Sequence, residues 1–311
     1  MNRFKNILVV ASDDESLPGL LERAGALARA NEARLSLLGI VETPTTPRRL
    51  RLGAGEEIDL DRYLEETRRE ELSALADAVD GVDVDVAVGH GIGFVEVIRR
   101  VVDDGHDLVI TPIGPHGSGR GLTGASMTMH LLRKCPVPVW VDSGDEQLGA
   151  DVAVAVGPFE DDPQSDALTV MLIELGTSLA RLRGGTLHVV HAWRLVGESL
   201  LRRGRHRPPA AEVDAMVEDA YRTAQRQLDE VIELAEATGA RVEPHLVRGE
   251  AGSVVPDVLD TVRAGVIVMG TLARTGLKGV FVGNTAERVL GTIDVPVLAV
   301  KPRGFKTPVS M

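Results

Sequence analysis

A single cysteine, Cys135, stands in 311 residues. An internal disulfide is therefore excluded, and with no ligand cluster around the thiol a structural zinc site is not expected. Such cysteine usage fits a reducing compartment. Aromatic residues make up only 3% of the chain, too few for the stacking platforms that hold single-stranded nucleic acid. Positive charge is also short: 34 Lys and Arg against 46 Asp and Glu leave a formal net charge of −12, whose average field repels nucleic acid and anionic lipid. The local exception, Arg202-Arg203-Gly204-Arg205-His206-Arg207 before Pro208-Pro209, reads as a solvated mobile loop. The longest apolar runs, such as Val266-Ile267-Val268-Met269, fall far short of the ~20 residues that cross a bilayer. The start, Met1-Asn2-Arg3-Phe4-Lys5-Asn6, passes straight into Ile7-Leu8-Val9-Val10, without a leader's order of charge, apolar stretch and cleavage site. A cytoplasmic protein with no nucleic-acid and no membrane partner is expected.

Catalytic constellations are missing too. The chain has no Gly-x-Ser-x-Gly elbow, no Walker loop and no paired-histidine metal motif. His90, His106 and His116 lack metal-ligand spacing, and no metal site is expected. His188 and His191, at a predicted strand end, read as satisfied core histidines. Asp13, Asp14 and Glu15 read as the solvated first turn of a helix, and Cys135, ahead of Pro136, reads as inert.

What the chain does have is a repeat of itself. Leu108-Val109-Ile110 matches Val266-Ile267-Val268, and Val137-Pro138-Val139 matches Val295-Pro296-Val297, both pairs lying 158 residues apart. Earlier strands pair at smaller offsets, Ile7-Leu8-Val9-Val10 with Val152-Ala153-Val154-Ala155, and Leu35-Ser36-Leu37-Leu38 with Leu187-His188-Val189-Val190, so the second copy carries small insertions. In each copy short β-branched runs alternate with helix-period segments, the pattern of βαβ units and a parallel sheet. Leu20, Leu21, Ala24, Leu27 and Ala28 share one face of a predicted helix over 18–30. The polar segment Ser143-Gly144-Asp145-Glu146-Gln147-Leu148-Gly149 separates the copies, giving domains 1–146 and 147–303 and a tail 304–311.

In an open parallel sheet, ligands favour the crevice beyond the carboxyl ends of the strands, where the winding direction reverses. In copy two the strand ending at Met269 runs into Gly270-Thr271-Leu272-Ala273-Arg274-Thr275-Gly276-Leu277-Lys278-Gly279-Val280-Phe281-Val282-Gly283-Asn284-Thr285, after which helical spacing resumes. Glycines let backbone approach an anion closely, and a helix start offers unpaired N–H groups. Asn284 and Thr285 add side-chain donors, and Arg274 and Lys278 positive charge. The competing reading of Asn284 is an N-cap, with Glu287 completing a capping box.

This loop resembles the nucleotide signature of the universal stress protein family, Gly-x2-Gly-x9-Gly-Ser/Thr/Asn, with Gly270, Ala273, Gly283 and Asn284 at its positions and alanine replacing one glycine. The strings around Gly270 to Glu287, and His130 to Trp140 in copy one, resemble the family's tandem members. The resemblance implies two tandem open parallel-sheet α/β domains, Rossmann-like and of the adenine nucleotide alpha hydrolase type. They would pair through Val137–Val141 and Val295–Val300 into an internal pseudo-dimer, with a further homodimer left open. It implies ATP, with Mg²⁺, or another adenine nucleotide as ligand, held by Gly157, Ala192, Met269, Gly270, Ala273, Arg274, Gly283, Asn284 and Thr285. The family's first-strand aspartate is replaced at Gly157 or Pro158, and its second-strand backbone contact falls at His191 or Ala192. In copy one Pro112, Pro115, Ala125 and Ser126 replace the loop residues, so that copy is not expected to bind in the family manner. The implied role is a stress-response sensor or adaptor, at most a slow ATPase, since no general base stands near the loop. The alternative is an interaction protein without nucleotide, or a stress protein that holds a lipid or other small molecule.

Overall fold

The structure, a computed structural model, describes residues 3–13, 15–41, 49–51, 57–112, 122–144, 149–157, 163–205, 207–271 and 283–309. The chain divides into two compact units, Met1–Gly144 with Lys306–Met311, and Asp145–Phe305.

The first unit opens with β1 (Asn6–Val10), α1 (Leu17–Asn31) and β2 (Arg34–Val41). A short antiparallel pair, β3 (Arg49–Arg51) and β4 (Glu57–Asp59), then leads into α2 (Leu60–Ala76). β5 (Val84–His90), α3 (Gly93–Asp103), β6 (Leu108–Pro112), α4 (Leu122–Lys134) and β7 (Val139–Asp142) complete it. Its sheet is wholly parallel, in the order β7-β6-β1-β2-β5.

The second unit runs β8 (Val152–Val156), α5 (Pro163–Arg183), β9 (Leu187–Trp193), α6 (Glu198–Arg203), α7 (Ala210–Glu236), β10 (Val242–Arg248), α8 (Ala251–Val262), β11 (Val266–Gly270), α9 (Asn284–Leu290) and β12 (Val297–Val300). Its parallel order, β12-β11-β8-β9-β10, repeats that of the first unit strand for strand. Register is repeated as well: Ile7 faces Leu35 and Leu108, while Val152 faces Leu187 and Val266. The duplication read in the sequence is thus present in the ladders themselves.

Central strands are nearly continuous in apolar residues because helices cover both faces of a parallel sheet. All five residues of β1 are buried, and each buried Leu, Ile or Val contributes roughly 1.5–3 kcal/mol. The face predicted for the first helix is the one α1 buries: Leu20, Leu21, Ala24, Leu27 and Ala28. α7 turns a stripe of Ala224, Leu228, Val231 and Ala235 inward. α5 lies still closer to its sheet, for a Cβ on Gly176 would overlap Val154 Cγ2 and stand 2.9 Å from Leu187 Cδ1. At the rim of the second unit's sheet, β10 carries Pro244 opposite Val189 of β9.

The structure corrects one reading of the basic segment. Arg202 and Arg203 lie in α6, not in a loop, and Arg202 is bound by Glu198 and Asp214, both at 2.8 Å. Glu198 also holds Arg248 of β10. Arg202 and Arg248 are thus neutralised by local acids.

Candidate functional site

In the second unit β8 is flanked by β9 on one side and β11 on the other, so the winding reverses between β8 and β11 and a crevice opens beyond their carboxyl ends. Met269, facing Ala155 of β8, is a buried ladder residue, and Gly270 ends β11 just above the side chain of Leu168 from α5. A Cβ at Gly270 would stand 3.1 Å from Leu168 Cδ2. Glycine is thus favoured here by close approach rather than by unusual backbone, because Gly270 is not among the left-handed residues.

The loop that follows is closed at its neck. Thr271 N–H donates to Val300 O at 3.2 Å, and Gly283 N–H donates back to Thr271 O at 3.0 Å. The chain leaves and re-enters the sheet at one point. Thr271 is wholly buried, and its hydroxyl has no hydrogen-bond partner among the described residues, which leaves one donor and one acceptor unsatisfied where the loop begins. Gly283, with φ −63° and ψ 142°, is the N-cap of α9, and no side chain caps the helix. The capping-box reading is therefore corrected: Asn284 is the first helical residue, one position past the cap. Thr285 follows it and is exposed. Ala273, Arg274 and Lys278 lie outside the described residues.

The residues expected to meet the base lie at the ends of β8 and β9. Gly157 directly follows β8 and is half-buried. Ala192 sits near the carboxyl end of β9 opposite Val247, and its neighbour His191 is buried with Nδ1 3.3 Å from Val156 O. The strand ends thus bring Gly157, His191, Ala192 and Gly270 to one end of one sheet. Pro158 lies outside the described residues.

Sequence reasoning missed the ionic rim of this end of the unit. Glu250, the N-cap of α8, accepts from Arg194 at 2.6 Å and from Arg288 of α9 at 2.9 Å. The carboxylate and both guanidinium groups are half-exposed, so each pair contributes little stability. Their effect is to tether the segment after β9 and α9 to one carboxylate. No local spacing betrays it, since Glu250 is 56 residues from Arg194 and 38 from Arg288.

The first unit is built differently at the corresponding place. β6 ends in Pro112, whose carbonyl accepts from the Thr128 hydroxyl at 3.4 Å, and a proline offers no N–H to a ligand. Ala125 and Ser126 fall within α4, and Pro115 lies outside the described residues. Past the carboxyl end of β1 and at that of β2, a cleft of about 840 Å³ is lined by Ser12, Asp13, Ile40, Val41, Thr67 and Arg68 among others. Asp13 remains exposed but carries Arg68 at 2.6 Å, whose guanidinium also reaches Glu71 at 3.2 Å and Ser12 O at 3.2 Å.

Two parallel five-stranded α/β units with one strand order define a duplicated Rossmann-like protein. The family model of the universal stress protein family matches residues 3–142 and again 152–301, and the chain belongs to that family. Universal stress protein E of Escherichia coli K12 is 30% identical over 234 residues, 74% of this chain and 72% of that protein. A universal stress protein E homolog of Haemophilus influenzae is 24% identical and covers 96% of this chain and 98% of its own. Among solved structures, the functionally unknown protein PA1789 from Pseudomonas aeruginosa PAO1 is 26% identical with a TM-score of 0.66, covering 97% of this chain and 94% of that one. A universal stress protein from Archaeoglobus fulgidus, at 20% identity and TM-score 0.65 over 96% of each chain, shares the fold. No helix among the described residues is long and apolar enough to cross a membrane.

Proposed function

We propose that the second unit binds an adenine nucleotide, ATP with Mg²⁺, at the carboxyl ends of β8 and β11, and that the chain acts as a cytoplasmic stress-response sensor or adaptor. The observation that carries this reading is the closed neck of the loop, where Gly283 N–H meets Thr271 O and the buried Thr271 hydroxyl has no partner among the described residues. Gly270 ends β11 there, Gly283 and Asn284 open α9, and Gly157 and Ala192 would flank the base. Binding without rapid turnover follows from the lack of a paired general base in the sequence. With glycine in place of a first-strand carboxylate, the ribose loses one charged acceptor, so phosphate contacts carry more of the affinity.

The test is isothermal titration of ATP and Mg²⁺ into the whole chain and into Gly283→Trp. The φ and ψ at Gly283 are ones that any residue adopts, so the substitution strains no backbone, and the indole is placed to obstruct a ligand at the start of α9. One ATP per chain, abolished in the variant while circular dichroism is unchanged, is the expected result. Absence of heat and of any thermal shift at about 1 mM ATP would overturn it.

The cleft of the first unit supports a second reading, a small polar ligand held between Ser12, Asp13 and Arg68. It predicts a binding event that survives Gly283→Trp and disappears in Arg68→Ala.

A further inference from the structure

We infer that the second unit contains a site for a zinc-like divalent transition metal, formed by His188 of β9 with Glu243 and His245 of β10. Residues opposite one another in a parallel ladder project to the same face, as do positions two apart along a strand. His188 faces Glu243 in the register, and His245 lies two residues further on. The three side chains therefore meet. His188 Nδ1 is 2.9 Å from His245 Nε2 and 3.6 Å from Glu243 Oε2, and one ligand atom from each lies within 4.8 Å of the others. Tetrahedral zinc with bonds of 2.0–2.1 Å needs ligand atoms about 3.3 Å apart, which these separations bracket.

Behind the cluster stands a carboxylate of the kind that orients a ligating imidazole. Asp151 directly precedes β8, and its Oδ1 accepts from Thr186 N–H at 2.7 Å, which fixes its Oδ2 at 3.6 Å from His188 Nε2. That nitrogen is buried and makes no hydrogen bond among the described residues. With the ring proton on Nε2, toward Asp151, the Nδ1 lone pair points at the cluster. His188 is buried, His245 half-buried and Glu243 exposed, so the site opens to water on the Glu243 side and leaves a coordination position there. Two imidazoles and one carboxylate suit zinc and its neighbours better than magnesium or calcium, which take oxygen ligands.

The duplication supplies an internal comparison. At the same register the first unit has Ser36, Asp85 and Ala87 for His188, Glu243 and His245, and Asn6 for Asp151. Only the second copy has the imidazoles. The cluster lies in the amino-terminal halves of β9 and β10, opposite to the strand ends that form the nucleotide crevice, so it is a separate site. A metal here would join the outermost strand of that sheet to its neighbour.

The experiment is titration of zinc chloride into the full chain, stripped with EDTA, beside His245→Ala, Glu243→Gln and Asp151→Asn. Glu243 and His245 are exposed and half-buried, and circular dichroism verifies that the variants fold. The expected result is saturation near one zinc per chain, with each ligand variant weakening binding about 10-fold or more, and Asp151→Asn by about 10-fold through its hold on the His188 ring alone. Cobalt in place of zinc is expected to give the visible absorption of a tetrahedral ion, lost in His245→Ala. No saturable uptake, or a ligand variant that keeps the affinity of the parent chain, overturns the site.

Discussion

Substituting Gly176 by alanine sets two effects of opposite sign against each other. Glycine inside a helix costs roughly 1 kcal/mol relative to alanine, so an isolated α5 would gain by the change. Against the sheet, however, the new methyl overlaps Val154 Cγ2 and comes within 2.9 Å of Leu187 Cδ1. Both neighbours are fully buried ladder residues whose backbones are fixed by β8 and β9, and overpacking of this kind costs about 1–3 kcal/mol. With two neighbours to displace, the steric term wins by about 1–2 kcal/mol, equivalent to roughly 3–6 °C in the unfolding midpoint of a unit of this size. Trp193 of β9 reports the second unit alone once Trp140 is replaced by phenylalanine, since these are the chain's two tryptophans. Adding Val154→Ala to Gly176→Ala should return about 1 kcal/mol relative to the sum of the single variants. A midpoint that is unchanged or raised in Gly176→Ala would refute the close helix–sheet contact.

Thr271→Val removes a buried hydroxyl that has no partner, so the second unit should become about 1 kcal/mol more stable to urea, while ATP affinity falls roughly 2–10-fold through loss of one neutral hydrogen bond; a variant that is less stable would show that the hydroxyl is already satisfied. In the first unit, burial holds the His106 pKa below the ordinary imidazole value, against the opposing pull of Asp104. The unfolded chain therefore takes up the proton first: stability is full above about pH 6.5 and is lost as pH falls toward the depressed folded value, at up to about 1.4 kcal/mol per pH unit. Burial, with Lys134 and Arg133, lowers His130 in the same direction, so His106→Leu should reduce the acid slope without abolishing it, as read by Trp140 in a Trp193→Phe background. An unaltered slope in His106→Leu would dismiss this account.

Much of the fold is legible in the residues because a parallel sheet writes itself as apolar runs. The 158-residue spacing of Leu108 and Val266 is the spacing found between β6 and β11, and the face of α1 is the one its periodicity marks. What escapes is short or non-local. β3, β4 and α6 span three, three and six residues, too few for a period to emerge, and α6 buries no residue, being tied to α7 and β10 by ion pairs. The glycine loop is visible as composition, but its neck is not, because the bond from Gly283 to Thr271 is set by where β11 and α9 stand. The His188 and His245 pair is hidden for the same reason: 57 residues separate the two rings, and only the parallel register of β9 and β10 aligns them. The N-cap of α9 differs by one residue from the sequence reading, since Gly283 reaches the extended geometry of a cap before Asn284 can.

Pro244 gives the outer strand of the second unit a further property. A strand at the border of a sheet presents free N–H and C=O groups to any extended chain that drifts against it, and long, flat, apolar borders recruit other molecules into aggregates. β10 withholds one donor at Pro244 and places Glu243, His245 and Arg248 around that gap, so a newcomer would find an interrupted ladder among polar groups. β5, its counterpart, has no proline and relies on Asp85 and His90 at its two ends. The two copies therefore resist growth by strand addition in different ways, the second through its backbone and the first through side-chain charge and polarity.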